Sequence, residues 1–330
     1  MTTAPDLAPA PVSKRVLPLS LQGRSYGDRV FRLTLAGAAV ILPILLAFLV
    51  AELWTGARLA IAKFGLSFIA TSVWDPVAEQ FGAFPLIYGT ILSSLIALAI
   101  AVPLSLGVAV YLVEFAPKPV RQPVAFVISL LAAIPSVVYG LWGIFVLTPL
   151  LRTTAFPFLR DTLGFLPFFQ GPIYGPSILA AGVILAIMVM PYIMSVSREV
   201  LLAVPDSQRE AALALGATRW EAVVTVVIPY ARSGIVGAII LGLGRALGET
   251  MAVTMLIGNR HEIAASLFAP GYTMAAAIAN EFAEAVADMH LSALAYVALV
   301  LFLVTVIVNG GARLLIWRVA RGSGVGSKAL

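Results

Sequence analysis

The stretch VPDSQREAALALGATRWEAVVTVVIPY, residues Val204–Tyr230, is too polar to cross a bilayer, yet it lies between two runs apolar enough to do so. It reads as two short helices with a bend between them. Ser207 followed at the third position by Glu210 has the form of a capping box, and Thr218 followed by Glu221 has it again. Gly216 supplies the left-handed residue that ends the first helix, and Pro229 stops the second where the next span begins. A helix-turn-helix on DNA is the rival reading. It would leave the second helix, Trp220 to Ile228, with no basic residue for the phosphate backbone.

Around this segment the chain is written for lipid. Of its 330 residues 61% are hydrophobic and 11% charged, and the mean hydropathy is +1.01, a composition that excludes a water-soluble surface. Apolar stretches near or above the ~20 residues a spanning helix needs occur at Leu33 to Glu52, Ile87 to Leu112, Ala125 to Leu150, Ser177 to Ser195, Gly234 to Ile257 and Leu291 to Trp317. The expected fold is therefore an all-α membrane protein of six transmembrane helices. The first stretch is longer than a signal-peptide core and has no small-residue cleavage site after it, so it reads as a retained span.

Sorting the basic residues by loop places fifteen on the side of both termini and of Val204–Tyr230, and five on the other, Arg58, Lys63, Arg152, Arg160 and Arg260. Both termini are expected in the cytoplasm. This asymmetry accounts for the net charge of +5 and the pI near 9.6 without a nucleic-acid partner. The chain has no cysteine, which excludes disulfides and thiolate chemistry. His261 and His290 stand too far apart in sequence to suggest a metal site. The outer segments Trp54 to Pro85 and Asn259 to His290 are expected to form short helices at the outer surface, as caps on the bundle or as a docking face. Arg152 to Gly175, rich in Phe and Pro, links the third and fourth spans.

Arg245 and Glu249 are the only charges between Ser233 and Gly258. The fifth span is expected to run from Gly234 to Ile257, which puts Arg245 close to halfway, about 18 Å from either end at ~1.5 Å per residue, too deep to reach water easily. A charge at the bilayer centre costs ~2.5–3.5 kcal/mol on the insertion scale, so such residues face the bundle interior or a wetted path. The planar guanidinium suits a tetrahedral oxyanion. Glu249, one turn on, is placed to pair with Arg245 when no anion is present. Two readings stand side by side: a substrate pathway, and a salt bridge that fixes helix packing. Gly242, Gly244 and Gly248 read as close-packing positions on a spanning helix. Pro103, Pro135 and Pro191 fall inside the second, third and fourth spans as helix-kink candidates. Thr90, Ser93 and Ser94 either line a polar path or bond within their own helix. No Ser-His-Asp set, GxxxxGK[ST] loop or HExxH is present, so no ATP hydrolysis is expected of this chain.

Glu210, Ala211, Ala212, then Gly216, then Val226, Ile228 and Pro229 resemble the EAA motif of ABC importer permeases, with Val226 and Ile228 as its only, conservative, departures. The strings IPSVVYGLWG (Ile134–Gly143), MPYIMSVSREVLLAVP (Met190–Pro205) and LGRALGETMAV (Leu243–Val253) are similar to the phosphate-specific permeases of the PstC type. The resemblance runs from about Pro85 to Trp317. It implies the type I ABC importer permease fold, with a cytoplasmic coupling helix that carries Glu210, Ala211, Ala212 and Gly216 onto an ATPase. It also implies a heterodimer with a PstA-type permease, two PstB-type ATPases that hold ATP and Mg, and an external PstS-type phosphate-binding protein. Arg245 and Glu249 match residues that the family associates with phosphate passage. No cofactor is implied on this chain.

The expected organisation is a cytoplasmic tail over 1–32, a first transmembrane helix over 33–53, an outer segment over 54–85, a permease core over 86–317 with its coupling loop at 204–230, and a tail over 318–330. A molybdate or sulfate permease is the nearest alternative, followed by a secondary anion carrier or channel, which needs no coupling loop.

Overall fold

The computed structural model describes residues 26–321. Its helices are α1 (Tyr26–Gly56), α2 (Arg58–Phe64), α3 (Ser67–Ala70), α4 (Phe84–Phe115), α5 (Lys118–Ala133), α6 (Ser136–Leu163), α7 (Ile178–Leu202), α8 (Asp206–Ala214), α9 (Arg219–Gly248), α10 (Met251–Ile257), α11 (Met274–Glu281) and α12 (Asp288–Arg321). A two-residue antiparallel pair, β1 (Trp74–Asp75) with β2 (Gln80–Phe81), sets Trp74 opposite Phe81. Among the described residues α1, α4, α6, α7, α9 and α12 are long and apolar enough to cross a membrane. The predicted tails fall largely on residues 1–25 and 322–330, outside the described residues.

Contacts divide the chain into Met1–Ala51 and Glu52–Leu330. The first unit holds most of α1, a 31-residue apolar helix with no buried side chain. In the second, α7 is the most deeply enclosed span, with 72% of its apolar window buried, so the other helices are arranged around it. Helices in lipid gain little from the hydrophobic effect and associate by close packing at small residues. A Cβ at Gly182 of α7 would stand 2.5 Å from Ile96 of α4, and one at Gly242 of α9 would stand 2.6 Å from Ile193 of α7. Ala97, Ala101, Leu185, Val189, Ile193 and Ala246 fill the layer these contacts create. Gly244 has only Asn309 nearby, at 3.7 Å, and Gly248 has nothing within 4 Å. Of the three glycines, Gly242 alone serves close approach.

Each end of the bundle has its own core. Phe68, Phe81, Leu86, Tyr272, Met274 and Tyr296 pack where α4 begins and α11 lies. Val110, Val113, Leu201, Val204, Val223 and Val227 pack where α4 and α7 end beneath α8. Thr90 and Ser93 donate to Leu86 and Gly89 one turn back, each at 2.7 Å, and Thr90 Oγ1 also accepts the Met274 N–H. These hydroxyls bond locally and to α11.

Proline positions produce the departures in the third span and at the start of the fifth. The third span is α6, Ser136–Leu163, not Ala125 to Leu150. Pro135 is therefore not a kink inside a span: Ile134 and Pro135 are extended (ψ 129 and 141) and separate α5 from α6, because a proline drives the residue before it out of the helical region. Pro229, predicted to stop a helix, lies inside continuous α9. The turn before it, Val223–Val227, widens to π geometry, which accommodates a ring that cannot donate to the carbonyl four residues back. The same widening at Gly143–Leu147 and Leu151–Ala155 precedes Pro149 and Pro157 within α6. Pro103 and Pro191 do lie inside α4 and α7. Ser105 Oγ donates to the Met190 carbonyl at 3.0 Å, which joins the two proline-containing turns.

Candidate functional site

The fifth span does not continue to Ile257. Helix α9 ends at Gly248, Glu249 is extended (φ −70, ψ 131), and the chain restarts as α10 at Met251. Arg245 thus occupies the last turn of a helix, beside the middle of α7, instead of the middle of a continuous rod. Its guanidinium carbon stands over the Tyr192 ring of α7, 4.3 Å from the centroid, a cation–π contact that positions the charged group. Its Nε is buried with no hydrogen-bond partner among the described residues. A buried donor left unmade costs ~1–3 kcal/mol, so this atom is one that a ligand oxygen would satisfy.

The pairing expected between Arg245 and Glu249 does not form: among the described residues no ion pair or hydrogen bond joins them. In a continuous helix positions i and i+4 share a face, and the break at Glu249 removes that alignment. Glu249 Oε1 instead lies 3.5 Å from the N–H of Ala252, over the first turn of α10. Three residues that sequence reasoning did not single out lie in this region, Tyr192, Tyr139 and Asn309. The Tyr192 hydroxyl donates to the Ala132 carbonyl at 2.9 Å, and that of Tyr139 to Leu131 at 2.9 Å, closing the free carbonyl end of α5. Asn309 of α12 has a buried Oδ1 without a partner and lies beside Gly244. The one available signal for Asn309 was an amide in an otherwise apolar run.

At the α8 end, the polar loop folds as a helix, a turn and a helix start. Gly216 has φ +89. Ala217 N–H reaches the Ala212 carbonyl at 3.2 Å and Gly216 N–H the Leu213 carbonyl at 3.0 Å, the paired bonds of a glycine helix stop. Thr218 and Glu221 form the reciprocal capping box. The Ser207–Glu210 box does not form, because Pro205 holds the N-cap position and Ser207 sits inside the first turn. Glu210 therefore has no capping duty. It and Ala211 are exposed, whereas Ala212 faces the core. Leu213, Leu215 and Trp220 are exposed, Leu215 at 91%, so the loop presents apolar side chains next to a free carboxylate.

At the opposite end, folding joins the two histidines judged too distant. Glu281 Oε2 accepts the Trp74 indole N–H at 2.8 Å and meets His290 Nε2 at 3.1 Å. His261 Nε2 faces the other oxygen at 3.5 Å. The His261 ring stacks on Trp74, and His290 on Phe81. The two imidazoles address different oxygens of one carboxylate, and among the described residues no group of three His, Asp or Glu side chains is arranged for a metal. Burial pushes His261 down to about 4 and the Tyr272 hydroxyl up to about 12.

With a folded value near 4 and an unfolded value of 6.5, His261 begins to contribute pH dependence about one unit above pH 6.5, as the unfolded imidazole starts to protonate. From there down to pH 4 the unfolded chain binds a proton that the folded chain refuses, and stability falls by on the order of 3 kcal/mol. Thermal unfolding of the purified protein across this window is expected to show that loss. His261→Phe is expected to flatten it, and an unchanged slope in the variant would assign the effect elsewhere.

Residues 101–321 match the family described as binding-protein-dependent transport system inner membrane component. The chain is 45% identical over 301 residues to the phosphate transport system permease protein PstC of Mesorhizobium japonicum, covering 90% of this chain and 92% of that protein. It is 48% identical to PstC of Xylella fastidiosa (90% and 93% covered) and 46% identical to PstC of Haemophilus influenzae (91% and 96% covered). Among solved structures it resembles a bacterial ABC transporter involved in the import of the acidic polysaccharide alginate, with TM-score 0.52 and 18% identity over 86% of this chain and 97% of that one. That likeness concerns the fold alone, which is the type I ABC importer permease fold. With the family matched over most of its length and full-length relatives above 40% identity, this multi-pass membrane chain belongs to the binding-protein-dependent transport system inner membrane components.

Proposed function

We propose that the chain is the membrane-spanning permease subunit of an ATP-driven phosphate importer, and that Arg245 gives the anion a transient site at the break between α9 and α10. The observation that carries this reading is the buried Nε of Arg245, beside Tyr192 of α7 and without a partner among the described residues, in a chain whose relatives are named phosphate transport permeases. A guanidinium held over Tyr192 with its Nε unpaired has a donor to offer a phosphate oxygen. A helix broken at membrane depth is tolerated where it lines a path or is buried in protein.

In this reading both termini and α8 face the cytoplasm, in accord with the basic residues on that side. Glu210, Ala211 and the exposed Leu215 and Trp220 then meet a PstB-type ATPase, which holds ATP and Mg and performs the hydrolysis. A PstA-type permease supplies the other half of the pathway, and a PstS-type binding protein delivers phosphate at the α11 end. The ATPase turns the pathway from outward- to inward-facing.

The test is uptake of labelled phosphate by vesicles containing the reconstituted complex. Uptake is expected to require ATP on the α8 side and the loaded binding protein, and to persist when ion gradients are collapsed. Uptake without ATP that vanishes with the gradient would make the protein a secondary carrier, and sulfate or molybdate taken up in preference to phosphate would overturn the assigned substrate.

A further inference from the structure

Arg209 lies one residue before Glu210 on a helix that is exposed along most of its length, yet its side chain is only 17% exposed. It points back toward the membrane helices. Its Nε and Nη2 both reach Glu114 Oε1, at 3.1 and 3.0 Å, and Nη2 also reaches the Leu201 carbonyl at 2.9 Å. Nη1 donates to the Val204 carbonyl and to Asp206 Oδ1, the latter at 3.1 Å. All five guanidinium donors are therefore engaged. Glu114 is 13% exposed and sits in the widened last turn of α4, and Leu201 and Val204 bracket the end of α7. One side chain ties α8 to the ends of two spans.

One of the spans so tied, α7, reaches Arg245. Leu201 stands nine residues beyond Tyr192 on α7, about 13 Å along the axis at ~1.5 Å per residue, and Tyr192 underlies the Arg245 guanidinium. Helices α4 and α7 are joined again at their proline turns by Ser105 and Met190. We infer that Arg209 is a positioning residue for ATP coupling: its fork to Glu114, Leu201 and Val204 makes α8 move as one body with α4 and α7, so that displacement of α8 reaches the Tyr192–Arg245 pair. A lysine has the charge but lacks the fork. The inference rests on the proposed coupling role of α8, and it names the joint through which that role acts.

The experiment uses the complete reconstituted importer with labelled phosphate and measures phosphate moved per ATP hydrolysed. Arg209→Lys and Glu114→Gln are each expected to assemble, to hydrolyse ATP, and to move phosphate at a ratio lower by on the order of tenfold. The exchange Arg209→Glu with Glu114→Arg is expected to regain part of the ratio. Either of two results overturns the inference: assembled variants with the wild-type ratio, or loss of assembly in both single variants, which would make Arg209 a brace for folding. A wild-type complex whose uptake ignores ATP would sink the coupling reading itself and is told apart by that control.

Discussion

Replacing Arg245 with glutamine is expected to abolish phosphate uptake while the subunit still inserts, assembles and supports ATP binding by its partners. Glutamine is polar and fits beside Tyr192, so the helix end is retained, but it offers one amide where the guanidinium offers a charged fork. The charge-assisted bonds lost are worth ~1.5–3 kcal/mol each. Two of them correspond to on the order of a hundredfold or more in rate. The site also loses its fixed positive charge at the depth where a bare anion is costliest. Arg245→Lys separates these effects, since it retains charge and forfeits the fork; it should fall between the two. Initial rates of labelled phosphate uptake, with ATPase activity measured on the same vesicles, decide the matter. Wild-type transport in Arg245→Gln would remove the oxyanion role. Glu249→Gln is expected to be mild by comparison, because a glutamine oxygen can still lie over the Ala252 N–H.

The second large effect is expected at Gly216. A side chain there meets open space, so any penalty comes from the backbone. An L-residue in the left-handed region costs ~1–2 kcal/mol, and a β-branched one more. Gly216→Val is expected to escape the strain by unwinding the last turn of α8, breaking the bonds from Gly216 and Ala217 to Leu213 and Ala212. With α8 no longer rigid up to the Thr218 cap, ATP hydrolysis continues and phosphate import collapses. Gly216→Asn, which tolerates the left-handed region, should retain most of the import. Equal transport by the valine and asparagine variants would show that the bend has no part in coupling.

The two sites differ in how far they could be read from residues alone. The α8 loop was legible because its determinants are neighbours in sequence: Gly216 closes a helix, and Thr218 reaches Glu221. Even there the Ser207–Glu210 pattern misled, since Pro205 took the cap position that the pattern assigned to Ser207. Arg245 was legible as a charge out of place. Its partner was not, because the expected pairing with Glu249 assumed a continuous helix.

The sequence by itself determined that this is a six-span membrane protein, which loops collect positive charge, and where a polar elbow interrupts the apolar runs. These properties follow from composition averaged over some twenty neighbouring residues, as bilayer thickness requires. Only the tertiary structure decided where helices break at Pro135 and Glu249. It alone also put His261 and His290 on one carboxylate and delivered Arg209 to Glu114 across 95 residues of chain. A break of two residues leaves mean hydropathy unchanged, and contacts between distant polar groups are set by which helix faces pack together.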